Sequence, residues 1–560
     1  MNSKKKETIA VYCKNTDSSL EAPVGATLSD IYRLAGEPLR YRPMSARVNR
    51  RVEGLDYCCR TEADVEFVDY THPAGFRTCV RSLCFILTRA VNDLYPQAVF
   101  DLAHSVSRGY YCAFADRRAV SADDAARIRK RMREIIDADV PFVPKRIRTV
   151  EAIEMFRRRG MEDKALLLET VGMAYTDYYE MEGYADYFYG CLTPSSGYVH
   201  LFDLIPYEDG MLLRVPRRDM PDTLEPVVRQ DKMFQAYSEH RVLQRTLGLS
   251  DVGKLNRAVA AGGARQIVMV SEAMQEKQIA RIAEQIVSRY DEGARIVLIS
   301  GPSSSGKTTF CKRLEIQLIT CLMHPLGISL DDYYLNRNDT PKDETGAYDF
   351  ESLYAIDLPY FYDDLRRLID GERIEVPTFD FETGRRVYRG RTMQMNRPNS
   401  ILILEGIHGL NPELTATLPP SRLFRIYVSA LTTIALDGHN WIPTSDNRLL
   451  RRIIRDSRSR GYPARETIAM WPRIRRGEDR WIFPYQENAD ATFNSAMIYE
   501  LAVLRRFVEP LLSEIREIDD ESAEAYRLLR FLQYFNYIPL EELPSTSLLR
   551  EFLGGGNFLY

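Results

Sequence analysis

Residues 301–309 read Gly-Pro-Ser-Ser-Ser-Gly-Lys-Thr-Thr, a complete G-x-x-x-x-G-K-[ST] string. The chemistry this spacing serves is the binding of a nucleoside triphosphate, ATP or GTP. Gly301 and Gly306 permit a close turn, and the backbone N–H groups of Ser303, Ser304, Ser305 and Thr309 can form a concave anion site at a helix N-terminus. Lys307 reaches the terminal phosphates as a point charge, and Thr308 offers a hydroxyl to Mg²⁺. Pro302 has no N–H, so the cradle begins at Ser303.

Moving a phosphoryl group to a hydroxyl also needs a proton acceptor and a hold on the metal. Asp331 and Asp332 close the apolar run 326–330, and Glu405 follows the apolar run 401–404 and precedes Gly406. An acid at the end of a core strand is placed to hold Mg²⁺, directly or through water, with Thr308 opposite and Asp331 nearby. Neighbouring strand residues point to opposite faces, so one of Asp331 and Asp332 is expected to aim at a substrate. Further along, Leu449, Leu450, Ile453 and Ile454 form an apolar stripe while Arg451, Arg452, Arg455 and Arg458 cover the rest of a helix. By composition alone, a solvated basic face and a phosphate-covering one explain that pattern equally well.

Elements to position these groups are visible on both sides of the loop. Residues 295–300 are a β-branched run suited to a buried parallel strand, and Phe310, Leu314, Leu318, Cys321 and Leu322 recur at helical spacing after it. Ser271 is expected to cap a helix over 272–290 that leads into this strand.

The strings 328–334, 343–350, 376–381, 401–407, 447–461 and 489–490, in that order, resemble the uridine kinase and phosphoribulokinase family across about residues 290–500. The resemblance implies an α/β kinase domain, a parallel sheet flanked by helices, that uses Mg²⁺ and ATP or GTP to phosphorylate the 5′-hydroxyl of a nucleoside. It makes Asp331 the general base and Arg455 and Arg460 lid residues over the transferred phosphate, with Arg452 beside the substrate. It sets Asp343 where the ribose hydroxyls are gripped. Where the family reads a pyrimidine with a Tyr, a His and an Arg, this chain has Phe379, Gly384 and Tyr462. An acceptor other than, or broader than, uridine and cytidine is therefore expected, with a purine using the space left by Gly384.

The front half resembles threonyl-tRNA synthetases. Residues 23–30, 46–49 and 64–67 are similar to their ubiquitin-like TGS module, a small β-grasp unit, and 109–116 and 191–195 to the α+β domain that edits mischarged tRNA. In those enzymes a His-x-x-x-His pair and a Cys-x-x-x-His pair hold zinc. Here the histidine positions fall on Arg81, Phe85 and Ser195, leaving Cys191 alone, so no zinc is expected. The synthetase likeness also implies a tRNA or RNA contact through residues 1–215. With the basic run 127–133 it supports an alternative reading, an RNA-responsive protein using the phosphate loop as a nucleotide switch, although a solvated helix face accounts for that run as well.

A chain of 560 residues exceeds one core. The expected divisions are a β-grasp domain at 1–70, a synthetase-like domain at 71–215, a connecting region at 216–265, the kinase at 266–510 and a helical extension at 511–560, with the glycines 554–556 freeing the last residues. A net charge of −4 gives no global attraction for nucleic acid or anionic lipid. The nine cysteines include no C-x-x-C pair and read as reduced thiols. Lys4, Lys5 and Lys6 are not followed by a signal-peptide apolar core, and no apolar run is long enough to span a bilayer, so a soluble cytoplasmic protein is expected. Association into a homo-oligomer stays open.

Overall fold

The computed structural model describes residues 7–558 apart from 117 and 345, so Lys4–Lys6 lie outside it. The first sheet is built from Thr8–Cys13, Ser18–Pro23, Ser45–Val48, Arg51–Glu53 and Ala63–Val68 around the helix Leu28–Leu34. Thr27 and Asp30 start that helix with a reciprocal capping box.

The second unit packs the helix Pro73–Leu94 and the helix Ala122–Asp137 on a four-stranded antiparallel sheet. The later strands of that sheet are Asp203–Tyr207 and Gly210–Arg214, preceded by a short 3₁₀ turn, Ser196–Tyr198. On the helix Ala122–Asp137 the arginines are largely engaged within the chain. Arg129 pairs with Asp203, Arg131 with Asp93 and Glu134, and Arg133 donates to the His200 carbonyl. That face is laced by ion pairs, as a solvated helix face is.

Residues 216–265 differ from the expected connector. They carry the helices Asp231–Thr246 and Val252–Ala260, and the next helix, Ala264–Asp291, already begins there. Ser271 is therefore not a cap. Its hydroxyl donates to the Ile267 carbonyl at 2.7 Å, one turn back inside the helix, because residues 264–270 offer no helix breaker.

The third unit is centred on a parallel sheet. Its strand order is His324–Ser329, Ser400–Glu405, Ile296–Ser300, Leu423–Ser429, Ala491–Asn494. Every residue of Ile296–Ser300 is buried, as expected for a central strand covered by helices on both faces. Long crossovers return the chain in one direction, so the carboxyl ends of the strands gather the loops that follow them.

The second and third units meet in one buried cluster. Phe156 and Leu167 from the second unit, Leu255 from the intervening helices, Leu449 and Ile453 from the arginine-rich helix and Leu528 and Leu532 from the extension belong to one buried cluster. A buried Lys164 binds Asp186 at 3.0 Å and Asp437 at 2.8 Å, tying the synthetase-like unit to the hairpin that precedes the arginine-rich helix. Among the described residues no helix is long and apolar enough to cross a membrane.

Candidate active site

The phosphate loop follows the central strand and opens the helix Lys307–Thr320. Ser304 takes a left-handed backbone (φ 57°) and Gly306 follows at φ 81°; alternating handedness of this kind turns successive N–H groups inward. Lys307 is buried, with Nζ 3.3 Å from the Pro302 carbonyl, and the Ser304 and Ser305 hydroxyls are buried without a hydrogen-bond partner. Buried, unsatisfied donors beside a lysine are what a polyanionic phosphate chain would satisfy.

Asp331 and Asp332 leave the sheet edge in a 3₁₀ turn, Leu330–Tyr333, rather than on the strand itself. The turn separates them. Asp332 accepts from the Phe379 N–H at 3.3 Å and lies 3.5 Å from Arg391. Asp331 faces the loop: burial raises its pKa, and Lys307, Arg460, Arg455 and a Tyr334 hydrogen bond oppose that shift. Glu405 ends its strand beside the same lysine, its pKa pushed to about 7 by burial against the pull of Lys307. Two carboxylates and the Thr308 hydroxyl are hard oxygen donors suited to Mg²⁺, which commonly uses one or two carboxylates and completes its shell with phosphate oxygens and water. No cluster of three or more His, Cys, Asp or Glu able to cage a metal occurs among the described residues.

Arg452, Arg455 and Arg460 gather on Asp456, a fully buried carboxylate that the sequence reading missed. Arg452 approaches it at 3.0 Å, Arg455 at 2.9 Å and Arg460 at 3.8 Å. Its i+4 spacing from Arg452 and to Arg460 was the available signal. Arg452 donates to the Ser303 hydroxyl at 2.6 Å, so it stands over the loop. Burial, reinforced by Arg455, lowers the Arg460 pKa to about 10. Arg451, expected on the polar face, is instead fully buried against Glu500. Glu478, also missed, is buried, pairs with Arg448 and Arg475, and accepts the Ser303 N–H at 3.1 Å.

Phe379 is 7% exposed and packs edge-on against Tyr334 and Phe381 in the core, so it is chiefly a packing residue. Phe381, in the turn between the paired strands Thr378–Asp380 and Arg385–Val387, is exposed, with the Arg460 guanidinium 5.0 Å from its centroid. On the side where a Gly384 Cβ would project, the space is taken by Arg337, whose Nε would lie 2.8 Å from that Cβ. Asp343 pairs with Arg473 at 3.0 Å, and Tyr462 is partly exposed just past the arginine-rich helix Thr444–Ser459.

Glu351 is a further acid at the site. Its Oε2 is buried with no hydrogen-bond partner, and burial, against the pull of Arg452, raises its pKa from 4.5 to about 7. The folded state therefore holds a proton between those values that the unfolded chain releases, so this contribution is full below about 4.5 and is lost as pH rises through about 7. Glu351→Gln should stabilise the nucleotide-free protein by about 1–3 kcal/mol at pH 8 and by much less at pH 5. Unfolding curves that shift equally at both pH values would rule this out.

In the synthetase-like unit, Arg81 and Cys191 do come together. Arg81 Nε donates to the Cys191 carbonyl at 3.2 Å, and Thr78 Oγ1 lies 3.5 Å from the thiol. Phe85 is core, and Ser195 donates to Asp139 at 2.5 Å. A guanidinium thus stands beside the cysteine, and it supplies no metal lone pair.

A five-stranded parallel sheet with a phosphate loop after its central strand and an acid at the end of the neighbouring strand is the arrangement of a P-loop nucleotide-binding domain. Residues 296–501 match the model of the Phosphoribulokinase / Uridine kinase family. The front region is similar to threonine–tRNA ligases. That of Hyphomonas neptunium is 29% identical over 154 residues, 28% of this chain and 23% of the ligase. That of Syntrophotalea carbinolica is 27% identical over 235 residues, 40% of this chain and 37% of the ligase. The chain thus spans well under half the length of these relatives. Similar solved structures include one described as a possible uridine kinase from Bacillus stearothermophilus (18% identity, TM-score 0.28, covering 39% of this chain and 98% of that one). Another is D-glycerate 3-kinase from Cryptococcus neoformans (13%, TM-score 0.21, 49% and 87%).

Proposed function

We propose that the chain phosphorylates the 5′-hydroxyl of a nucleoside, using Mg²⁺ with ATP or GTP. The observation that carries this reading is Asp331, turned out of the sheet edge toward Lys307, Arg455 and Arg460. Asp331 accepts the hydroxyl proton; Lys307 and the loop N–H groups hold the donor's phosphates; the lid arginines stabilise charge on the group in flight and exclude water. Mg²⁺, held by Thr308 and Glu405, would neutralise phosphate charge. Phe381 supplies an exposed ring for stacking and Arg337 a guanidinium beside Gly384, a pairing that favours a base with acceptor atoms without fixing a pyrimidine.

A nucleoside panel scored by ATP and GTP consumption, with and without tRNA, tests the reading. At least one purine nucleoside should be turned over within about tenfold of uridine in kcat/KM, because a site without several fixed buried partners discriminates weakly. Uridine and cytidine as sole efficient acceptors would defeat the broad specificity. Turnover that needs tRNA and no nucleoside would favour the nucleotide-switch alternative.

A further inference from the structure

The carboxyl-terminal segment reaches back to the phosphate loop. Glu551, in the short helix Arg550–Leu553, places Oε2 3.1 Å from the Thr309 N–H and 2.6 Å from its hydroxyl. Thr309 is the third residue of the loop helix, so its N–H is one of the amides that helix cannot satisfy and that a phosphate loop turns toward its ligand. Leu548 packs so close to Gly306 that a Cβ there would meet its Cδ2 at 2.5 Å. Leu548 and Phe552 are fully buried in the same cluster as Phe310 and Leu314 of the loop helix. Arg458, on the arginine-rich helix, donates to the Glu551 carbonyl at 2.8 Å and the Phe552 carbonyl at 3.0 Å. The segment is also anchored beyond the glycines: Asn557 donates its N–H to the Ser545 carbonyl, so the expected freedom of the tail does not extend to that residue.

We propose that Glu551 is an internal competitor for nucleotide: its carboxylate holds the anion position at the start of the loop helix, and phosphate must displace it to bind fully. This rests on the nucleotide-binding reading above. A carboxylate and a phosphate oxygen accept from the same N–H and O–H, and one N–H cannot serve both well. The charge of Glu551 also opposes a polyanion arriving beside it. Because Arg458 grips the same turn, displacing Glu551 loosens a contact between the segment and the arginine-rich helix, which links donor binding to lid position.

The test uses the full chain, measuring Kd for MgATP and for magnesium tripolyphosphate by calorimetry in wild type, Glu551→Gln and Glu551→Ala. Both variants should bind both probes about 5–10-fold more tightly than wild type. In wild type, saturating MgATP should speed amide hydrogen exchange across residues 547–553. Unchanged or weaker binding in both variants, with exchange in that segment unaffected by MgATP, would make Glu551 a fixed helix cap and overturn the proposal while leaving the kinase reading intact. Failure of wild type and both variants to bind either probe would overturn the nucleotide reading and the proposal with it.

Discussion

Asp331→Asn should lower turnover by about 10²–10⁴-fold while leaving nucleotide affinity nearly unchanged, because the amide keeps size and polarity but cannot accept the proton. The placement makes Asp331 the sharper target of the acidic pair: it faces Lys307, Arg460 and Arg455, while Asp332 is occupied by the Phe379 N–H and Arg391. Asp332→Asn should accordingly cost far less. Burial holds the Asp331 pKa above the ordinary carboxylate value, so wild-type kcat/KM should decline as pH falls through that raised pKa, and the residual activity of Asp331→Asn should lose this limb. Lys307→Ala is expected to damage both nucleotide binding and turnover, since its charge meets phosphate in the ground and transition states alike. Steady-state kinetics and a nucleotide Kd for the three variants check the set. Full activity in Asp331→Asn would move the base elsewhere.

Arg451→Met should destabilise the protein by about 3–5 kcal/mol, the cost of leaving one buried charge without its partner. Arg451 is 0% exposed and pairs with Glu500, which is as deeply buried and also accepts the Met497 N–H. The same guanidinium donates to the Ser304 carbonyl at 3.3 Å and the Ser495 carbonyl at 3.1 Å, so it ties the phosphate loop to the edge of the sheet. Its removal should weaken nucleotide binding even under conditions where the fold survives. The double substitution Arg451→Met with Glu500→Leu should recover most of the stability, since it removes both charges, but not the nucleotide affinity. Denaturant unfolding of the single and double variants decides this. A loss below about 1 kcal/mol in Arg451→Met would show that Glu500 has found other compensation.

The sequence by itself determined the parts whose physics is local. The loop at 301–309, the largely apolar strand before it and the helix after it follow from glycine and lysine spacing and from hydrophobic period, and the acids Asp331 and Glu405 stand out because a charge closes an apolar run. The likeness to threonyl-tRNA synthetases was legible in the same way, from short strings in order. Tertiary structure alone decided which charges are structural. Arg448, Arg451 and Arg452 sit within five residues on one helix, yet two are buried ion-pair partners and the third reaches the Ser303 hydroxyl, because burial depends on what packs against each face. It placed Glu478 and Glu551 on the loop from 175 and 242 residues away, filled the place beside Gly384 with Arg337, and turned Phe379 inward while leaving Phe381 exposed. Local pattern records which residues a strand or helix can bury. The identity of a distant partner is set only when the chain closes, since no local periodicity encodes a contact between remote segments.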